Sequence, residues 1–541
     1  MPRFFLSKPY PALLWAILTL VSLSLRPLFP IDETRYAAVA WEMWHTGDFL
    51  VPHLNGETYS HKPPLLFWLI HLSWLIFGVN EWSLRLIAPL FSLAGLYLSQ
   101  AVARLLWTEK GQIAQLTPLV LLGTYFWMVY GTLTMFDIML SFFALLGIYA
   151  FLLLIRHGLS IKRWLLLGVA IGGGVLTKGP VILLHLLPFG LLSPWLLSSA
   201  LSSYGKSRWY LGLLTAVLTG AAIVLCWAIP AGMAGGETYR KAIFLGQTSG
   251  RIVDSFAHKL PFWWYLQLLP LLLLPWVLIK PFWLGIKQFN QHDFGLRFCL
   301  VWAIPVLIAF SLVSGKRIHY LLPLMPALAL TIAWLLAYCA DVDWRRVHWV
   351  IAAIFALTGL VLLILPWSHV IPVPPLITGL SPLWGGLLLL NACILAIVCP
   401  KNAVSAVNYI CIAAIASALI LCAGFFQMQS YRFDTAPAAQ KIAELMAKQQ
   451  PIAFVGGKYH GQFHFAGRLT QSIKLLVNQD ELLAFMQQNP NGIVLVEHKE
   501  NAGLPETAVS YRYPFKSHQV SFVACRSLIA NPALISQLKP A

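Results

Sequence analysis

Residues 12–43 read ALLWAILTLVSLSLRPLFPIDETRYAAVAWEM, an apolar run followed at once by two acids and a base. A stretch of about 17–25 apolar residues can cross a bilayer, so the run predicts a membrane span over residues 9–29. Arg3 and Lys8 precede it with no convincing small-residue cleavage site, which favours a retained first span over a removed leader. Asp32, Glu33 and Arg35 then stand where the chain should be leaving the membrane. Ionisable groups at that depth are costly and default to functional readings. The plainer alternative is a helix N-terminus whose orphan N–H groups the two acids satisfy.

Composition extends this reading to the whole chain. Of 541 residues, 59% are apolar and only 11% are charged, against about a quarter charged in a soluble domain. A polytopic membrane protein is expected. The net charge of +17 would suggest nucleic acid in a soluble protein; here Lys- and Arg-rich cytoplasmic loops account for it, and no nucleic-acid partner is expected. Of the eight Cys, only Cys525 lies in the polar tail, and no CxxC occurs. Neither a disulfide framework nor a thiolate metal site is expected. The absence of GxxxxGK[ST], GxGxxG and HExxH leaves nothing that points to a nucleotide-driven pump or an intramembrane metalloprotease.

Further apolar runs fall at 83–106, 114–131, 138–155, 164–177, 181–199, 209–230, 263–282, 296–314, 319–338, 346–366, 378–398 and 406–426, which makes about thirteen spans in all. With the N-terminus inside, the turns TEKGQ, IRHGLSIKRW, SSYGKSRW, IKPFWLGIKQF, VDWRRVHW and PKN all fall on the cytoplasmic side, as the positive-inside rule expects. The run at 164–177 is short, and LTKGP at its end suggests a broken or re-entrant turn. The stretch PPLLFWLIHLSWLIFGV within the first outer loop is either a span or interfacial helix. A span there would turn the basic loops outward, so the charge count favours interfacial helix.

The fold class expected is therefore an α-helical polytopic membrane protein with a small C-terminal α/β domain. Residues 1–426 form the transmembrane domain, with outer loops 30–82 and 231–262, and residues 427–541 the outer domain. In that tail PIAFVGG, GIVLVEH, VSYRYPF and QVSFVAC are candidate strands. TAPAAQKIAELMAKQQ is helical in period, and NQDELLAFMQQNP starts a helix with Asn478 as cap.

Several outer segments carry chemistry. Asp32, Glu33 and Arg35 share the first loop with Tyr59, His61 and Lys62 of ETYSHKPP; Asp137 opens a span in LTMFDIML. Lys178 lies in LTKGPV, Arg251 in GQTSGRIVDSFAHK, and Lys316, Arg317 and Tyr320 in SGKRIHYLLP. Cations with tyrosines suit a phosphate, and a carboxylate among them suits a general base or a group that holds a sugar hydroxyl. The bland readings are specific too. A Lys or Arg at a span end anchors to headgroups, Asp137 caps its helix, and His61, His258 and His319 are interfacial polar residues. His460 and His464 stand at i, i+4 in KYHGQFHF, a metal-ligand spacing without a third ligand nearby.

Taken together, DETRYAAVAWEM…GDFLVPHLNGETYSHKPPLLFWL, TLTMFDIMLSFF, LTKGPV, GQTSGRIVDSFAHKLPFWWY and SGKRIHYLLPLMPAL resemble the GT-C membrane glycosyltransferases. Within that group the chain is similar to the aminoarabinose transferases that modify lipid A, which are related to the protein O-mannosyltransferases. The resemblance covers roughly residues 1–330. It implies an inverting transfer of 4-amino-4-deoxy-L-arabinose from undecaprenyl phosphate to lipid A, at the periplasmic face of the bacterial inner membrane, and through lipid A polymyxin resistance. It places Asp32 at the catalytic centre and makes Asp137 the second important acid. Arg35, Tyr59, Lys62, Arg251 and Tyr320 match the group round the donor phosphate; Glu33, Lys178, Lys316 and Arg317 are further substrate-contact candidates. Family members place a His shortly before the Arg of the segment matched by GQTSGR, where it helps hold a metal. Here Gly246–Gly250 contains none, so no essential metal and no cofactor are expected. Relatives that transfer mannose or another sugar to protein or to lipopolysaccharide core are the alternative within this class. A flippase for a lipid-linked anion is the alternative outside it, although no repeated halves of the transporter kind are visible.

Overall fold

The computed structural model describes residues 9–201, 205–245, 260–290, 292–339, 342–367, 379–456, 459–499 and 504–537. In chain order the first helices are α1 (Tyr10–Leu25) and α2 (Asp32–Thr46), followed by the short strands β1 (His53–Leu54) and β2 (Glu57–Thr58). Then come α3 (Leu65–Phe77), α4 (Glu81–Leu106), α5 (Gly111–Leu122), α6 (Tyr125–Thr132), α7 (Phe136–His157), α8 (Ile161–Lys178) and α9 (Val181–Leu196). The chain divides into two compact units, one of residues 1–25 and 60–424, the other of residues 26–59 and 425–541.

The first unit is a helical membrane body. Among the described residues, seven helices are long and apolar enough to cross a membrane, or eight if the bent pair α5–α6, angled at 64°, counts as one. The expected break at LTKGP is a turn between two helices. Gly179, at φ +77°, closes α8 by donating its N–H to Val175 O at 2.8 Å, and Pro180 directly precedes α9. Glycine adopts this positive-φ conformation without the steric cost of a side chain. The run 263–282 departs from expectation. It divides into Trp264–Leu272, a 3-10 turn at Trp276–Leu278 and Lys280–Lys287, because Pro275 and Pro281 lack the N–H that a continuous helix needs. The segment α3 has 13 residues, about 20 Å at 1.5 Å per residue, well short of a bilayer core. Leu66, Phe67, Ile70 and Trp74 are buried, whereas Leu72, Leu75, Ile76 and Phe77 are exposed. A short helix apolar on both faces suits the membrane interface better than water.

The second unit is built round a five-stranded sheet. Its order is β4 (Lys474–Leu476), β3 (Ile452–Val455), β5 (Ile493–Lys499), β7 (His518–Ala524), β6 (Val509–Phe515). The pairs β3–β4 and β3–β5 are parallel, while β5–β7 and β6–β7 are antiparallel. All four tail segments read as strands from the sequence are strands. Both faces of the sheet are covered, which explains why β3 and β5 read as unbroken apolar runs. Ala453, Val455, Val494 and Val496 pack with Leu482 and Phe485 of the helix Gln479–Gln488. Ile452, Phe454, Ile493 and Leu495 pack on the other face with Ala438, Ala439 and Ile442 of the helix Ala436–Ala447. Asn478 caps its helix by accepting the Glu481 N–H at 2.8 Å.

Residues 26–59, read from sequence as part of the transmembrane domain, are grouped here with the tail sheet. The reason lies in contacts over four hundred residues apart. Phe29 stacks on Phe433 with ring centres 4.8 Å apart. Trp41 Nε1 donates to Leu469 O at 2.9 Å. The Asn55 side chain donates to Ile473 O at 2.9 Å and accepts the Ile473 N–H at 2.8 Å.

Candidate active site

In the membrane unit the sequence-marked residues gather round Asp137. This acid lies in the first turn of α7, and Lys178 is the last residue of α8. Each charge thus occupies the helix end whose dipole favours it. The Lys178 ammonium donates to Asp137 Oδ1, and the two side chains are 7% and 4% exposed. His319 Nε2 lies 4.0 Å from the same oxygen. Lys178 Nζ is also 5.0 Å from the centre of the Tyr320 ring, and Lys62 Nζ is 5.8 Å from that of Phe136, next to Asp137. Two lysines around one carboxylate leave a surplus of positive charge, with the Tyr320 ring beside one of them. That combination suits an anionic group. It does not make Asp137 a ready proton acceptor, since its carboxylate is already bonded to an ammonium.

Two other marked residues of this unit differ from that picture. The Lys316 ammonium donates to Val313 O at 2.6 Å and Leu260 O at 3.1 Å, so its geometry is that of a loop clamp. Arg317 is exposed and contributes its carbonyl, which accepts from Tyr265 OH at 3.1 Å. Arg251 lies outside the described residues.

In the second unit Asp32 and Glu33 both open α2 but do different things. Glu33 is buried with Arg26, their side chains 2% and 4% exposed, and accepts the Phe29 N–H at 2.8 Å. This is a local structural pair that fixes the start of α2. Asp32 is 46% exposed and pairs with Arg35, three residues on. Tyr36 OH donates to the same Asp32 oxygen at 3.3 Å. Arg35 also faces His460 Nδ1 at 3.4 Å and lies in the electrostatic reach of buried Tyr59. Glu42, one face further along α2, accepts the N–H groups of Asn55 and Gly56 at 2.7 Å each. Those two residues have positive φ, +58° and +83°, and form the tight Asn-Gly turn of β1–β2. Glu42 therefore holds the hairpin that leads to Tyr59.

Some contributors escaped sequence reading. Arg26 falls inside the expected first span and was not singled out, and Glu42 belongs to no motif. The Asn-Gly pair at 55–56 was the signal that could have revealed the hairpin. His319 was read as interfacial and instead faces Asp137. His460 and His464 have separate partners: His464 Nδ1 meets Tyr459 OH at 2.9 Å, whereas His460 meets Arg35. Among the described residues no group of three or more His, Cys, Asp or Glu side chains is placed to hold a metal ion.

Comparison with known proteins gives these clusters a context. A family model described as dolichyl-phosphate-mannose-protein mannosyltransferase matches residues 61–227. The undecaprenyl phosphate-alpha-4-amino-4-deoxy-L-arabinose arabinosyl transferase of Enterobacter sp. strain 638 is 31% identical over 59% of this chain and 57% of its own length. A protein of the same description from Sodalis glossinidius is 32% identical over 67% of this chain and 65% of its own. The matched stretch thus spans less than two thirds of these relatives. The crystal structure of ArnT from Cupriavidus metallidurans bound to undecaprenyl phosphate superposes with a TM-score of 0.75 at 20% identity, covering 96% of this chain and 98% of that one. Its apo form gives a TM-score of 0.73 at 20% identity, covering 98% of each chain. In sequence the chain is thus similar to the aminoarabinose transferases, and it shares the fold of the ArnT structures.

Proposed function

We propose that the protein is an inverting glycosyltransferase that moves 4-amino-4-deoxy-L-arabinose from undecaprenyl phosphate to a lipid A phosphate. The observation that carries this reading is sequence identity of 31–32% to relatives described as arabinosyl transferases of that donor. About thirteen spans, a periplasmic reaction face and a periplasmic α/β tail in the bacterial inner membrane belong to the same proposal. No cofactor enters it.

In the reaction, an acceptor oxygen attacks the anomeric carbon on the side opposite the donor phosphate. The new carbon–oxygen bond forms as the bond to the phosphate oxygen breaks, and undecaprenyl phosphate departs with the electron pair. An acceptor phosphate is already ionised and needs little base. A departing phosphate gains charge, which fixed cations stabilise. In the membrane unit we assign phosphate contacts to Lys62, Tyr320 and Arg251, with Lys178 oriented for substrate contact by Asp137. In the second unit Asp32 is the accessible carboxylate, suited to hold the sugar amino group or, for a hydroxyl acceptor, to take its proton. Arg35 and Tyr59 stand beside it as phosphate-binding groups.

Mass spectrometry of lipid A tests the proposal, in cells that make the donor, with and without this protein. A mass gain of one aminoarabinose is expected; unchanged lipid A sinks the reading. The match of residues 61–227 to mannosyltransferases favours one second reading, transfer of mannose or another sugar to protein or to lipopolysaccharide core. Hexose-bearing products in the same cells would identify it.

A further inference from the structure

We infer that His460, carried by the C-terminal tail, is a positioning residue for Arg35 and makes sugar transfer depend on the tail. The inference rests on the assignment of Arg35 to the donor phosphate. A guanidinium only donates hydrogen bonds. One side of Arg35 is held by Asp32, and its Nη1 faces His460 Nδ1 at 3.4 Å. A hydrogen bond there requires His460 to accept at Nδ1, the tautomer with its proton at Nε2.

The loop that bears His460 is fixed at both ends of this contact. The His460 N–H donates to Gln462 Oε1 at 3.0 Å. Tyr459, buried against Phe454 and Phe463, ties the loop to the sheet and meets His464 Nδ1 at 2.9 Å. Gly461, at φ +70°, lies so close to α2 that a Cβ there would come within 2.4 Å of Leu54 Cδ1 and 3.1 Å of Ala38 Cβ. Ala38 follows Arg35 by one helical turn, so the loop is seated on the face of α2 that carries Arg35. A guanidinium held on two sides presents its remaining donors in one direction. The charged and titratable groups around this loop include Arg35, Asp32, Tyr36, Tyr59, Tyr459, His464, His45 and Glu42.

The test uses the full-length protein in detergent with undecaprenyl-phosphate-linked aminoarabinose and lipid A. His460→Ala should lower kcat/KM by roughly ten- to a hundredfold, the loss of one hydrogen bond to a charged group. His460→Asn should recover most of it, because its Oδ1 accepts from the Nδ1 position. The Asn variant should also lack whatever acid-side loss of activity the His enzyme shows, since an amide does not titrate, and a merely structural His would not move that profile. His460→Lys, which cannot accept, should behave like Ala, and it decides the matter if the Ala variant fails to accumulate. Wild-type turnover in the Ala or Lys variant, with Arg35→Ala inactive, overturns the role of His460. Full turnover in Arg35→Ala overturns the phosphate assignment beneath it.

Discussion

Asp137 in the membrane unit and Asp32 in the second unit both sit in the first turn of a helix, and both pair with a cation. Their side chains differ in exposure, 4% against 46%. The buried acid is neutralised by Lys178 from another helix, forty-one residues away. The half-exposed acid pairs with Arg35 from its own helix and keeps one side open to solvent. A buried pair is a geometric fixture, since removing either partner strands a charge away from water. An open pair contributes little to stability and leaves its carboxylate available for chemistry. Arg26–Glu33 shows the same divide within α2: two adjacent acids, one buried and structural, the other open.

The largest effect that can break this comparison is catalytic. Asp32→Asn, which loosens the hold on the sugar amino group, should lower transfer by about 10²-fold or more with little change in thermal stability. A large fall in stability would place Asp32 with the structural pairs. Lys178→Met should do the reverse in kind. It leaves Asp137 buried without its ammonium, and a loss of about 3–5 kcal/mol in stability is expected, readable by thermal unfolding in detergent. Adding Asp137→Asn should restore much of that stability without restoring activity. Unchanged stability in the Lys178 single variant would remove the buried pair from the account.

Not all of this was legible beforehand. The strands β3 and β5 could be read because they bury nearly every side chain and are apolar over most of their length, and Asn478 announced its helix as a cap. Asp32 and Asp137 were visible as candidates because charge beside a span is rare. The pairing of Asp137 with Lys178 was hidden, since it depends on two helix ends meeting across intervening sequence. The grouping of residues 26–59 with the tail was hidden for the same reason: Trp41 with Leu469, and Asn55 with Ile473, are contacts that no local pattern encodes. The broken run at 263–282 was legible in its prolines, but apolar continuity outweighed them in the reading.

Two smaller effects sharpen the comparison. Burial, with His45 nearby, lowers the His464 pKa from 6.5 to about 4. The unfolded chain then takes up a proton near pH 6.5 that the folded unit refuses until about pH 4. Stability should fall as pH drops through that window, by on the order of 3 kcal/mol at most, and stay level above pH 7. His464→Phe should flatten the slope of melting temperature against pH; an unaltered slope would assign the acid sensitivity elsewhere. Lys316→Met should cost about 1–3 kcal/mol through its two carbonyl contacts and leave kcat/KM within a few-fold of wild type. A loss as large as that of Asp32→Asn would make Lys316 part of the reacting group.

The most direct test of the central claim is single-turnover transfer by the purified full-length protein. It would be supplied with undecaprenyl-phosphate-linked aminoarabinose and lipid A, and read by mass spectrometry of both lipids. Lipid A is expected to gain one aminoarabinose as undecaprenyl phosphate is released, and Asp32→Asn to bind the donor still, through its phosphate, but to transfer the sugar far more slowly. Unmodified lipid A beside intact donor, or full turnover by the Asn variant, would contradict that claim.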